Sequence, residues 1–153
     1  MEFNKPVNNP MLVGTIQLLH AEDTPEHREM FLEELKKSSL LAPAVMDPPP
    51  LEDENGNMLV QVGSKAQFPA LMTPDGKKFL MGFTDAVEYQ KWVEKNSKHP
   101  TFALTLGDYA NMLFRKDIQN VETAPVGVVI NPFGVNLVLP KELIATMIAN
   151  WGR

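Results

Sequence analysis

The chain has 153 residues, of which 44% are hydrophobic and 22% charged, and its net charge is −5. A chain of this length buries roughly 70% of its unfolded surface, so neither a disulfide nor a metal is needed to hold a core. With no cysteine, disulfides, thiolate metal sites and cysteine nucleophiles are excluded together, and a reducing compartment suits the chain.

The chain is expected to form one domain over residues 1–153, opening with two helices over residues 9–37. Asn9-Pro10 is a helix start, because Asn can cap and Pro is tolerated in the first turn. Leu12, Ile16 and Leu19 then follow at i, i+4, i+7 and make one apolar stripe. Thr24-Pro25 repeats the start signal, with Glu26 in the first turn and Lys36-Lys37 in the last, as the helix dipole favours. Phe31, Leu32 and Leu35 form the inner face. Leu40 to Met46 reads as a strand interrupted by Pro43, which confines it to an edge or a bulge. An acidic, proline-rich connector follows over residues 47–57. Pro48-Pro49-Pro50 is stiff and extended, and Asn55-Gly56 is a turn signal. Met58 to Val62 is the next expected strand.

Two ββα-like units complete the chain, at residues 66–95 and 125–151. In the first, Phe68–Met72 and Lys77–Phe83 flank Thr73-Pro74-Asp75-Gly76, a type I turn pattern. Asp85 and Glu88 then read as a capping box, with Ala86, Tyr89, Trp92 and Val93 facing inward. Thr101 to Leu106 alternates as a half-buried strand, and a short helix with Tyr109, Met112 and Leu113 inward follows it. In the second unit, Val126–Ile130 and Val135–Leu139 flank Asn131-Pro132-Phe133-Gly134. Pro140 opens a last helix whose inner face is Ile144, Met147, Ile148 and Trp151. The prolines of the two turns align, and duplication or coincidence of a common pattern both account for this. Both hairpins are expected to pair antiparallel. Hairpins with dispersed helices define an α+β fold, mainly antiparallel or mixed, with about five short helices.

Charge is distributed unevenly. Residues 22–54 hold ten acidic and three basic side chains, a local charge of −7. Such a stretch predicts a negative face and a basic partner. No strong cluster of Lys and Arg is present, so neither nucleic acid nor an anionic membrane is expected as a partner. Residues 1–6 lack the pattern of a signal peptide, and no apolar run approaches the ~20 residues of a membrane span. A cytoplasmic location is expected.

Candidate chemistry is sparse. His20, His27 and His99 do not share a metal-ligand spacing. The run Glu52-Asp53-Glu54 lacks the Glu that a calcium loop places six residues after its Gly, where Val62 stands here. Ser38, Ser39 and Ser64 lack a nucleophile-elbow setting, and no glycine-rich phosphate loop is present. Asp85 and Glu88 read as helix-cap residues, not as an acid–base pair. No catalytic, metal or cofactor site is therefore expected. Four residues are candidates for an interaction surface. Phe133 sits at a turn apex, and Phe3 precedes any periodic structure; each is either folded back or an anchor for a partner. Lys77 and Lys78 flank the first turn, where they discourage strand pairing or touch an anion.

The segment from Phe68-Pro-Ala-Leu71 through Pro74-Asp-Gly76 and Phe79-Leu-Met-Gly-Phe-Thr-Asp-Ala86 to Tyr89-Gln-Lys-Trp92 resembles the SseB N-terminal-domain family. Leu104-Thr-Leu106, Gly127-Val-Val-Ile-Asn-Pro-Phe-Gly134 and Leu137-Val-Leu-Pro140 extend the resemblance over nearly the whole chain. It implies a bacterial protein without an established enzymatic activity, and it supplies no catalytic residues. The expected function is a non-catalytic protein-interaction or binding module, acting on a protein partner or by self-association. The alternative is a small-metabolite-binding protein or an enzyme with an unrecognised site. A concave pocket with convergent polar groups favours the alternative, and a flat apolar patch favours the interaction module.

Overall fold

Proline sets where the first helices begin. Helices α1 (Pro10–Ala21) and α2 (Pro25–Lys37) each carry it in the first turn, where its missing N–H has no intrahelical partner to lose. The computed structural model describes residues 2–3, 5–55, 57–95, 100–114 and 124–151. Leu12, Ile16, Phe31 and Leu35 are buried, as the stripes require. Thr24 caps α2 by accepting the His27 backbone N–H at 3.1 Å. Asn9 does not cap α1. Its amide donates instead to the carbonyls of Ser39 and Thr84, each at 2.8 Å, and ties the helix start to two strand ends.

The strand expected over Leu40–Met46 is divided. Strand β2 (Ser39–Pro43) ends at the proline, and β3 (Val45–Asp47) belongs to another sheet. Between them the Ala44 N–H turns away to the Pro100 carbonyl, at 2.8 Å. β2 pairs antiparallel with β9 (Thr101–Thr105), which also pairs with β1 (Glu2–Phe3). β3 pairs with β6 (Lys65–Gln67). Between these two lies a small hairpin of β4 (Leu51–Glu52) and β5 (Met58–Leu59). The Asp53 carboxylate accepts the N–H groups of Asn57 and Asn55 in this hairpin, at 2.8 and 2.9 Å. These bonds, Asn57's foremost, hold its pKa below the ordinary value. The expected strand over Met58–Val62 therefore shortens to two residues, and Val62 is fully exposed.

Both expected hairpins form. β7 (Ala70–Met72) pairs with β8 (Lys78–Gly82), and β10 (Pro125–Ile130) with β11 (Leu137–Pro140), all antiparallel. The first begins at Ala70, after Pro69, which has no N–H to give. The sequence does not display how they join. β8 lies parallel to β10, giving the order β11-β10-β8-β7. Beyond Gly82 the chain leaves β7 and takes β2 as its neighbour. Leu41 and Phe83 exchange two backbone hydrogen bonds of 2.8 Å each, which links this sheet to β1-β9-β2. The fold is α+β with a mixed sheet.

Alternation along β8 and β10 divides the core in two. Leu80, Val128 and Ile130 face the cluster built with α1, α2, α4 (Leu106–Leu113) and α5 (Lys141–Trp151). Met81 and Val129 face the opposite side, with Phe83 and with Trp92 of α3 (Ala86–Lys95). The helices of the two ββα units thus lie on opposite faces of the sheet. Ala86, read as inward, is exposed, because the first residue of α3 stands at the sheet's rim. Leu106, read as the end of a strand, is the buried first residue of α4. A reciprocal capping box of Thr105 and Asp108 starts that helix, with bonds of 2.9 and 3.2 Å. Among the described residues no helix is long and apolar enough to cross a membrane.

Candidate functional site

Two parallel strands that leave a sheet at the same end open a crevice between the loops that follow them. Here β8 runs into Thr84, Asp85 and α3, while β10 runs into Asn131 and its turn. α1 lies across the opening, because Asn9 is tied to Thr84 and Asn8 bridges to Asp85. The result is a cleft of about 790 Å³, within the size range of small-molecule sites.

Its floor is a buried, mutually hydrogen-bonded polar network. Thr84 is fully buried and Asn131 is 6% exposed. The Asn131 Oδ1 accepts the Thr84 backbone N–H at 3.0 Å, and its Nδ2 donates to the Thr84 hydroxyl, also at 3.0 Å. That hydroxyl donates to Asp85 Oδ2 at 2.8 Å. The other oxygen of Asp85 accepts the Glu88 N–H at 3.0 Å and caps α3. Asn131 holds this position with φ at +49°, in the left-handed region that Asn tolerates better than most residues.

The walls are apolar: Val13, Ile16 and Ala21 from α1, Val87 from α3, and Val135 from the loop after β10. Polar side chains stand at the mouth. Gln17 and His20 come from α1, and Glu88 and Lys91 from α3 form an ion pair of 2.6 Å. Glu88 therefore spends its carboxylate on Lys91 and leaves the expected capping box half made. Gly134 makes room for it, since a Cβ there would collide with the Glu88 carboxylate. Such a cleft can orient a ligand that carries both polar and apolar parts. Thr84 has the only hydroxyl among the described lining residues, and its proton is already committed to Asp85.

The four residues singled out in the sequence are not brought together. Phe133 is half-buried, and its ring stacks on Trp92 of α3 at 6.4 Å and 24°, not over its own hairpin. The Lys95 ammonium lies 5.6 Å from the same ring. Phe3 is in β1 on the other sheet, edge-on to Phe102 at 5.3 Å. Lys77 and Lys78 are at the far end of β8 from the cleft. Lys77 lies 3.7 Å from Asp75, and Lys78 pairs across the hairpin with Met72. His20 lines the cleft mouth. His27 Nδ1 lies 2.6 Å from the Glu22 carbonyl, and His99 is outside the described residues. No group of three or more potential metal ligands occurs among the described residues.

The placement of Phe133 predicts a structural role. Phe133→Ala should lose about 1–2 kcal/mol, less than a fully buried ring and more than an exposed one. At this chain length that lowers the melting temperature by roughly 2–4 °C per kcal/mol. A melting curve superimposable on that of the parent would show that the stack on Trp92 contributes nothing.

Asn131 and Thr84 were legible in the sequence as turn and strand-end residues, and nothing local marks them as a cleft floor; Asn9, legible as a cap, ties α1 over it. Compared with known proteins, the chain matches the family model of the SseB protein N-terminal domain over residues 12–146. No curated protein and no solved structure matches it.

Proposed function

This chain belongs to the SseB N-terminal-domain family, and we propose for it not the protein-interaction role first expected but the alternative, a small-metabolite-binding protein whose ligand sits in the cleft at the ends of β8 and β10. The observation that carries this reading is the convergence of Asn8, Thr84, Asp85 and Asn131 on one side of a cavity whose other side is aliphatic. A ligand with a hydrogen-bonding head and a short apolar body fits both sides. The enzyme alternative has less support. A nucleophile needs a base within hydrogen-bond reach and access to substrate, whereas the Thr84 hydroxyl is buried and donates to a carboxylate. The setting we propose is the bacterial cytoplasm.

Ala21 is exposed on the cleft wall, so Ala21→Trp should fill the cavity without disturbing the core. A library of small metabolites screened by ligand-observed NMR should give binders to the parent chain. Those binders should weaken at least about tenfold, or 1.4 kcal/mol, in the variant. Binders that hold equally well to both proteins would remove the cleft as the site. Conversion of a binder to a product by the parent, and not by the variant, would make the protein an enzyme.

A further inference from the structure

A second concave surface lies away from the cleft, between α1 and α2. It is a groove of about 360 Å³ lined by Met11, Thr15 and Met30 along its base and by Glu26, Glu29, Glu33 and Glu34 along α2. We infer that this groove is the docking site for a basic amphipathic helix of a partner protein.

The base of the groove is apolar and unfilled. Met11 is 66% exposed and Met30 45% exposed, although both stand beside buried neighbours on their own helices. The Thr15 hydroxyl makes no polar demand on an occupant, because it donates to the Leu12 carbonyl at 2.8 Å within its own helix. Leu18, seven residues after Met11 and 42% exposed, prolongs the stripe along α1. Methionine side chains are flexible and polarisable, and they mould to an apolar partner better than branched ones do.

The flank identifies the partner's charge. Glu34 has Lys37 at 3.8 Å. Glu26, Glu29 and Glu33 form no ion pair among the described residues, and Glu29 and Glu33 repel each other at i, i+4 on one helix face. A helix laying leucine-like side chains on the methionines and lysines or arginines along α2 satisfies both features. Anchors at i, i+3, i+4 and i+7 are the pattern such a groove reads. The stripe from Met11 to Leu18 extends about 10 Å at 1.5 Å per residue, so roughly two turns of the partner are in contact. This inference is independent of the cleft, which lies on the opposite side of α1.

The test uses the full chain and two synthetic leucine–lysine peptides of about eighteen residues, or five turns, identical in composition. One places all lysines on one helical face, and the other has them shuffled. Calorimetry and NMR should show the amphipathic peptide binding in the micromolar range, with shifts centred on Met11, Thr15 and Met30. Binding should fall at least about tenfold from low to high salt, because exposed charges are screened over roughly 10 Å at 0.1 M. Glu29→Lys/Glu33→Lys should abolish it with the circular dichroism spectrum unchanged. Met30→Ser should weaken it several-fold, and Ala21→Trp should leave it intact. Equal binding of the shuffled peptide, or binding that survives the charge reversal, would overturn the inference. So would concentration-dependent dimerisation lost in Met30→Ser, which would make the occupant a second copy of the chain.

Discussion

Truncation of Tyr109 to alanine should lose about 3–5 kcal/mol, the largest loss we predict. The side chain is fully buried and sits where α4 meets β8. Its hydroxyl donates to the Met81 carbonyl at 2.8 Å. Against a typical total stability of about 5–15 kcal/mol, that loss is a large fraction of the whole. Tyr109→Phe keeps the ring and should lose only about 0.5–1.5 kcal/mol. It has a second consequence. Burial, with the charge of Asp108 adding to it, pushes the ionisation of this phenol far above its ordinary value. Below pH ~10 the phenol is neutral in both folded and unfolded chains, and its contribution is fully present. Above that pH the unfolded chain ionises and the folded one does not, so stability falls by up to about 1.4 kcal/mol per pH unit. Urea midpoints measured on both proteins between about pH 8 and 11 should differ by a constant offset below the phenol's ordinary pKa of ~10 and converge above it. Parallel pH dependence in the two proteins would show that Tyr109 ionises freely and that its environment is not closed to water.

The parts of the fold that the sequence displays are those set by neighbours along the chain. Proline in the first turn, a stripe at helical spacing and an x-Pro-x-Gly turn each act within a few residues. α1, α2 and both hairpins are accordingly where they were expected. The parallel pairing of β8 with β10 is different. It joins residues such as Val128 and Leu80, far apart along the chain, and no local pattern distinguishes it from a sheet in which the hairpins lie in the other order. β1, two residues long, has no periodicity to read at all.

The cleft was illegible for the same reason, sharpened by competition. An Asn before a helix-starting Pro is a good cap, yet Asn9 has two strand carbonyls within reach, and they take both of its amide protons. Asn131 looks like the first residue of a proline turn, and it is one: its carbonyl accepts the Gly134 N–H at 2.9 Å. What the turn pattern hides is that the side chain, freed by a left-handed backbone, points back into the molecule toward Thr84. The strain of this loop falls on Asn131 and Asn136, with φ of +49° and +53°. Gly134 lies outside that region, against the carboxylate of Glu88. A turn motif read from sequence assigns each residue to its turn, and here Asn131 and Gly134 also line the cleft.

Two substitutions at Asn131 separate what its backbone does from what its side chain does. Asn131→Ala removes the acceptor of the buried Thr84 N–H, at about 1–3 kcal/mol. Alanine also tolerates the left-handed region less well than asparagine, at about 1 kcal/mol more. The expected total is about 2–4 kcal/mol. Asn131→Gly loses the same hydrogen bond but relieves the backbone. After the entropy of a glycine in the unfolded chain is counted, it should be more stable than the alanine variant by about 0.5–1 kcal/mol. Both variants free the Thr84 hydroxyl from its amide donor and loosen the floor, so both should weaken a cleft ligand while leaving the α1–α2 groove untouched. Chemical denaturation of the three proteins measures the first effect, and titration with a cleft binder the second. Equal stability of the Ala and Gly variants would mean that the left-handed backbone carries no strain. Parent-like ligand affinity in both would mean that the polar floor does not hold the ligand, and that the cleft binds through its aliphatic wall alone.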